Sequence, residues 1–470
     1  MKFRIRKGKR ILENVANIAA TLGFNVYAVG GFVRDLYLGL EGKDIDFVVI
    51  GNALVFAERF KEKYRSGQLV TYPRFGTAML DYRQYKLEFV TARSEYYDEN
   101  SRKPQVKEAD LRSDLSRRDF TINTLAMDIT PQNFGKVIDL FHGIKDLKKK
   151  LIKTPLDPVI TFSDDPLRIL RAIRFATVFN FTLDKRVYQA IIDTRERLNI
   201  VSQERITEEF QKLMSSNKPS IGLKLLMKTN LMQYILPELA LLSGVEQKQD
   251  YHHKDVFDHT LKVVDNTAAK TEKFELRLAA LLHDIAKPQT KRFVDGIGWT
   301  FHGHEDLGAR MVERIGQRMR FPSATTKYVQ KLVRLHLRPM QLVDDSVTDS
   351  AIRRLMIDAG EQIDDLILLC RADITSKNPQ KVKRYLSNFD IVEDKIKQVG
   401  EKDKMRNFRV AIDGNIIMDT LQIPPGPIVG KIKKAITDAV LDGVIQNDPQ
   451  ACYEYLFEIK DNFLNNNEVY

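Results

Sequence analysis

VGGFVRDLYLGLEGKDIDFVV, residues 29–49, closes an apolar run with two glycines and then sets two aspartates one residue apart. NVYAVGG reads as a strand ending in a glycine turn, FVRDLYLG as a short helix, and KDIDFVVIG as a second strand. Side chains alternate along a strand, so Asp44 and Asp46 share one face while Ile45 and Phe47 point to the other, toward a core. Two carboxylates on one face repel unless a cation lies between them. Magnesium held by carboxylates and substrate phosphates is the solution that polymerase-type sites use. Gly30 and Gly31, without side chains, let backbone amides approach phosphate oxygens at a helix start. Either half alone reads as a tight turn or a solvated acidic edge. Together, and in this order, they read as a site for a triphosphate and its metal ions. Glu88, in YKLEFVTA on a further strand, is the candidate third carboxylate of that site.

Outward from this stretch, the 470 residues are too many for one ordinary domain. Hydrophobic residues make up 43%, enough for real cores. No apolar run approaches the roughly 20 residues that span a bilayer, and the basic start MKFRIRKGKR is followed by an amphipathic pattern, not a signal core. Two cysteines, Cys370 and Cys452, fit a reducing compartment and argue against a disulfide framework. The expected location is the cytoplasm, with no membrane partner. The net charge of +11 suggests a polyanion such as nucleic acid. Residues 145–235 carry part of that excess, with seventeen Lys and Arg against ten Asp and Glu. Residues 1–140 mix strands and helices. Residues 93–114 are polar, lack apolar periodicity and read as a long loop. Helical periodicity dominates from about residue 145, broken most clearly at LQIPPGPIVG, 421–430.

Here the chain resembles a family. GGFVRD followed by KDIDFVV is similar to the head of the tRNA nucleotidyltransferase and bacterial poly(A) polymerase superfamily. SRRDFTINTLAMD, 116–128, resembles its second motif. IDLFHGIKDL, 138–147, resembles the third, with His142 where the family has the first of two glycines. DDPLRILRAIRFA, 164–176, resembles the fourth, and ERITEEFQKLM, 204–214, the fifth. The resemblance implies a DNA polymerase β-like nucleotidyltransferase head followed by an all-α neck and body, an α+β chain overall. It implies that Asp44 and Asp46 hold two Mg2+ ions. It also implies nucleotide contacts from Gly30, Gly31, Arg34, Arg117, Arg118, Asp119 and Asn123. Asp165 and Arg168, three apart on a predicted helix, share a face, and in the family the pair matching them reads CTP and then ATP in place of a template. The residues alone allow a plainer reading, in which Asp165 before Pro166 caps a helix. Arg168, Arg171 and Arg174 form a basic stripe suited to phosphate. The length of the 93–114 segment resembles that of enzymes adding all of CCA.

The histidines form a second constellation. Seven of eight lie between His252 and His336. His283 and Asp284 end an apolar helix, where buried charge needs a partner such as a metal. With His259, His304, His336 and Asp373 they resemble the ligand series of the HD phosphohydrolase superfamily, which implies a second divalent metal in an HD domain. Lys431, Lys433 and Lys434, after Gly430 at a predicted helix start, could take RNA phosphates.

The expectation is therefore a head over 1–144, a helical neck that binds RNA and selects the nucleobase over 145–240, an HD domain over 241–380 and a helical tail over 381–470. The implied activity is template-independent addition of CCA to the acceptor end of tRNA from CTP and ATP. Poly(A) polymerase, CC-only addition, and an HD metal phosphohydrolase with an RNA-binding head are the alternatives.

Overall fold

The computed structural model describes residues 8–40, 42–65, 67–96, 105–249, 252–296, 298–342, 348–376, 378–403 and 410–464. It divides into two compact units, 1–240 and 241–470.

In the first unit α1 (Lys9–Leu22) leads into β1 (Asn25–Val29), α2 (Gly31–Leu38), β2 (Asp44–Ile50) and α3 (Ala53–Tyr64). Then come β3 (Leu69–Tyr72), β4 (Thr77–Tyr82) and β5 (Tyr85–Thr91), a hairpin of β6 (Arg93–Tyr96) and β7 (Gln105–Glu108), α4 (Leu111–Ser116), β8 (Ala126–Asp128) and β9 (Lys136–Ile138). Seven strands form one sheet in the order β3-β4-β5-β2-β1-β8-β9. Within this sheet, among the described residues, β2 and β5 pair in parallel and every other neighbouring pair is antiparallel.

Alternation along β2 places the site. Ile45 and Phe47 are fully buried, and Phe47 stacks on Phe89 with centroids 5.2 Å apart, beside Phe56 and Phe60. The opposite face is covered near Val48 by a small core of Val29, Ala92, Leu115 and Ala126. That second core stops short of Asp46 and Asp44, which sit at the uncovered end of the same face.

The segment 93–114 is not the continuous loop expected from its polarity. Residues 93–96 pair antiparallel with 105–108, and Asp110 caps α4 by accepting from the Ser113 amide at 2.8 Å. A two-stranded ribbon can be polar on both faces, so it carries no apolar signal. Residues 97–104, the middle of that stretch, lie outside the described residues.

After the sheet the unit is helical. α5 (Gly143–Lys149), α6 (Pro158–Asp164), α7 (Leu167–Phe179), α8 (Lys185–Thr194), α9 (Gln203–Met214) and α10 (Ser220–Lys228) follow. A Cβ on Gly222 would lie 2.4 Å from Thr177 Oγ1 and 2.7 Å from Leu213, so this glycine lets α10 close on α7 and α9.

In the second unit the helices Val256–Ala268, Phe274–Leu282, His304–Arg318, Ser323–Leu335 and Ile363–Asp373 carry the histidines or pack around them. Two short hairpins, 246–249 with 252–255 and 292–294 with 298–300, interrupt what the periodicity read as helix. A C-terminal group, Gly414–Leu421, Pro427–Leu441 and Pro449–Leu464, encloses its own core of Ile417, Ile432, Ile436, Cys452 and Leu456. The helix bearing Lys431, Lys433 and Lys434 starts at Pro427, not after Gly430. No described helix is long and apolar enough to cross a membrane.

Candidate active site and metal centre

Asp46 and Glu88 are register partners on β2 and β5, and Asp44 lies two residues earlier on the same face. Burial raises the Asp46 carboxyl above its ordinary range, Arg118 opposes that, and Asp44 adds to it. Burial and Asp46 do the same to Glu88. Each carboxylate therefore resists its neighbour's charge, a donor set that a divalent cation would relieve.

Gly30 links these acids to the arginines. Its backbone stands at φ 71, ψ −134, a region essentially reserved for glycine. A Cβ there would lie 2.8 Å from Arg118 Nη1 and 3.4 Å from Asp46 Oδ2. The Gly30 amide donates to Leu125 O at 3.0 Å. Gly30 thus contributes room beside Arg118 and not a phosphate donor, while Gly31 opens α2.

The segment 117–123 is held by carboxylates. Buried Asp114 accepts from Arg117 Nη2 at 2.6 Å and from Arg118 Nη2 at 3.3 Å. Arg118 Nε is buried with no hydrogen-bond partner among the described residues, so part of this guanidinium is uncommitted. Asp119 Oδ1 accepts from Asn123 Nδ2 at 2.9 Å and Oδ2 from Arg171 Nε at 2.8 Å. Asn123 Oδ1 in turn accepts from Arg34 Nη1 at 2.6 Å. Arg34 is buried, also pairs with Asp35, and stacks its guanidinium 4.7 Å from the Phe179 ring. The Asp119 carboxyl is pulled down to about 2: burial opposes its charge, and Arg171 and Asn123 more than compensate.

The third motif acts on this segment from outside. Asp139 caps α5 through the amides of Gly143 and Ile144. Asp146 accepts from Thr121 Oγ1 at 2.7 Å. A Cβ on Gly143 would stand 2.2 Å from Thr121 O, so only glycine fits. His142 takes the left-handed conformation, φ 61, that the family's glycine would adopt freely.

Asp165 is not on a helical face with Arg168, as spacing suggests. It is extended between α6 and α7, because a residue before proline is driven from the helical region. Its carboxylate accepts from the Leu167 amide at 3.2 Å and pairs with Arg205 at 3.1 Å. Arg168 donates to Arg117 O at 2.9 Å and Thr161 O at 3.3 Å. Arg174 donates to buried Glu209 at 2.6 Å and stacks 4.1 Å from the Phe175 ring.

The candidate site residues of the first unit line one cavity of about 1200 Å³, from Gly30, Gly31 and Arg34 through Asp44, Asp46 and Glu88 to Asp165, Arg168, Arg171 and Arg174. Asp114 and Glu209, which orient the arginines, were missed in the sequence. For Asp114 the three- and four-residue spacing to Arg117 and Arg118 was the available signal.

In the second unit, ligand atoms of His259, His283 and Asp373, and of Asp284, His304 and His336, gather within 4.8 Å in two groups. These are the two such groups among the described residues. Asp284 joins them: Oδ2 lies 3.1 Å from His283 Nε2, and Oδ1 lies 3.3 Å from His304 Nε2. Every Nδ1 is held from behind, by Thr375 Oγ1 for His259 and by the carbonyls of Ala280, Phe301 and Val333 for His283, His304 and His336. That second set of contacts aims each Nε2 inward, as metal-binding imidazoles require. Nε2 of His304 and of His336 is buried with no hydrogen-bond partner among the described residues. Burial disfavours a charged His283, but Asp284 and Asp373 outweigh it and raise its pKa to about 10. Burial and neighbouring His283 push His336 down to about 3. The donor set fits divalent cations bridged by one carboxylate.

Comparison with known proteins places this geometry. Residues 26–153 match the "Poly A polymerase head domain", 180–242 the "Probable RNA and SrmB- binding site of polymerase A", and 256–378 the "HD domain". The CC-adding tRNA nucleotidyltransferase of Thermus thermophilus is 29% identical over 91% of this chain and 92% of its own length. The Multifunctional CCA protein of Xylella fastidiosa is 31% identical over 76% of this chain and 86% of its own. The A-adding tRNA nucleotidyltransferase of Aquifex aeolicus is 47% identical, over 34% of this chain and 19% of its own. A solved CCA-adding enzyme in its apo form shares the fold, with a TM-score of 0.63 at 24% identity over 97% of this chain and 96% of that one. The chain belongs to the tRNA nucleotidyltransferase family that includes the CCA-adding enzymes, with a poly(A) polymerase-type head and an HD domain.

Proposed function

We propose that this chain completes the 3′ end of tRNA, adding C, C and A from CTP and ATP. The observation that carries the reading is the single cavity shared by the acidic triad, the arginines of 117–118 and the Asp165–Arg168 region. Asp44, Asp46 and Glu88 would hold the Mg2+ ions, which lower the charge barrier between triphosphate and attacking hydroxyl. The 3′ hydroxyl of the RNA attacks the α-phosphorus, an O–P bond forms, and pyrophosphate leaves. Arg118, beside Gly30 and only partly committed, faces the triphosphate as charge develops on the leaving group. Asp119 and Asn123 fix the ribose side of the nucleotide, and Asp165 and Arg168 accept or donate along the base edge. Residues 1–144 serve as the catalytic head, 145–240 as the selecting neck, 241–380 as the HD domain and 381–470 as a tRNA-binding tail. In the HD domain the six ligands hold divalent metal.

A second reading is a partial reaction, CC or A alone, favoured by the names of the Thermus and Aquifex relatives. Asp44→Asn and Asp46→Asn separate the head from everything else. Each is expected to abolish nucleotide incorporation, with the melting profile kept and metal still bound at the HD centre. Incorporation surviving in either variant would remove the acidic pair from the chemistry.

A further inference from the structure

The hairpin 292–294 with 298–300 places Phe293 directly opposite Trp299, the only tryptophan of the chain. The two rings meet edge to face at 5.3 Å, yet Phe293 is 61% and Trp299 46% exposed. A two-stranded ribbon has no core of its own to need these rings. Exposed aromatics on such an element mark a surface that meets a partner. Their neighbours are cationic. Lys291 stacks its ammonium 4.5 Å from the Trp299 ring, and Arg292 is exposed on the first strand. Asp295, at the turn, is the opposing charge.

Both roots of the hairpin are fixed at the HD centre. The first strand follows the short helix Lys287–Thr290, and Lys287 Nζ lies 2.7 Å from Asp284 Oδ2. The second strand ends at Thr300, next to Phe301, whose carbonyl accepts from His304 Nδ1 at 2.7 Å. Lys287 also stands 5.6 Å over the Phe301 ring. The ribbon is thus an aromatic arm rising from a centre whose ligands suit phosphate chemistry.

We propose that this arm is the nucleobase platform of the HD centre, taking the unpaired bases of a single-stranded RNA whose phosphate is presented to Lys287 and the metal. Stacking on exposed rings with interleaved cations is the way proteins hold unpaired bases without reading sequence. The inference rests on the HD centre holding metal, as proposed above.

Trp299 reports the contact alone. With the full chain in Mn2+, short single-stranded oligoribonucleotides carrying a terminal phosphate are expected to quench its fluorescence in a saturable, salt-sensitive titration. Phe293→Ala should weaken that binding about ten-fold, and Lys287→Ala should erase the preference for the phosphorylated end. Metal content, measured separately on the wild type and on His283→Ala, shows whether the metal reading fails. Quenching that survives in a metal-free protein would still support the platform. No quenching, quenching by inorganic phosphate alone, equal quenching by duplex RNA, or a change that follows protein concentration would overturn it, the last pointing to a contact between copies.

Discussion

Arg171 closes on Asp119 with two donors to one carboxylate oxygen, Nη2 at 2.6 Å and Nε at 2.8 Å. This joint ties the 117–123 segment to helix α7, and Asn123 extends it to Arg34. The folded-state pKa of Asp119, about 2, lies below its ordinary 3.8. Its stabilisation is therefore full above about pH 4 and is lost as the pH falls toward 2. Asp119→Asn should cost about 2 kcal/mol at neutral pH. Calorimetry from pH 7 to pH 2 should show a constant gap between the two proteins that closes at the acid end. A gap that stays constant to pH 2 would contradict the pairing.

Gly143 and His142 should respond in opposite directions. Gly143→Ala drives a Cβ onto Thr121 O, a backbone atom that cannot swing away, and should destabilise by about 1–3 kcal/mol. His142→Gly removes a left-handed non-glycine residue and should raise stability by up to about 1 kcal/mol. Paired thermal melts read both signs.

Asp114 touches no substrate in this account, yet it orients both arginines of the motif. Asp114→Asn should lower kcat/KM for nucleotide on the order of ten- to a hundred-fold, mainly through KM, with the fold kept. Steady-state kinetics with each nucleotide at saturating RNA measures it, and an unchanged KM would make Asp114 a stability residue only.

The site was legible where local pattern and chemistry coincide. Asp44 and Asp46 announce themselves by period-two spacing against Ile45 and Phe47. Glu88 was findable because its strand alternates too, although only the register shows that it faces Asp46. Asp114 and Glu209 were hidden because a buried carboxylate declares its purpose only through its partner, and for Glu209 that partner, Arg174, is 35 residues away. Asp165 was placed on a helix by spacing, but Pro166 holds it outside. The pairings of 93–96 with 105–108 and of 292–294 with 298–300 escaped because strands of three or four residues are too short to show a period.

The HD centre should hold two divalent ions, because Asp284 serves both ligand groups. Metal analysis after reconstitution with Mn2+ should give two equivalents per chain, about one in His304→Ala, and none in Asp284→Ala. Chelation should lower the melting temperature of the wild type and leave Asp284→Ala unmoved. One equivalent in the wild type, with no loss in His304→Ala, would reduce the centre to a single ion.

The central claim is tested most directly with tRNA lacking its last three nucleotides, given Mg2+ with CTP and ATP, together and singly, and read at single-nucleotide resolution. The account predicts growth by C, C and A followed by a stop, and growth by two with CTP alone. A long ladder with ATP alone, a halt after two cytidines when both nucleotides are present, or growth only on tRNA already ending in CC would contradict it.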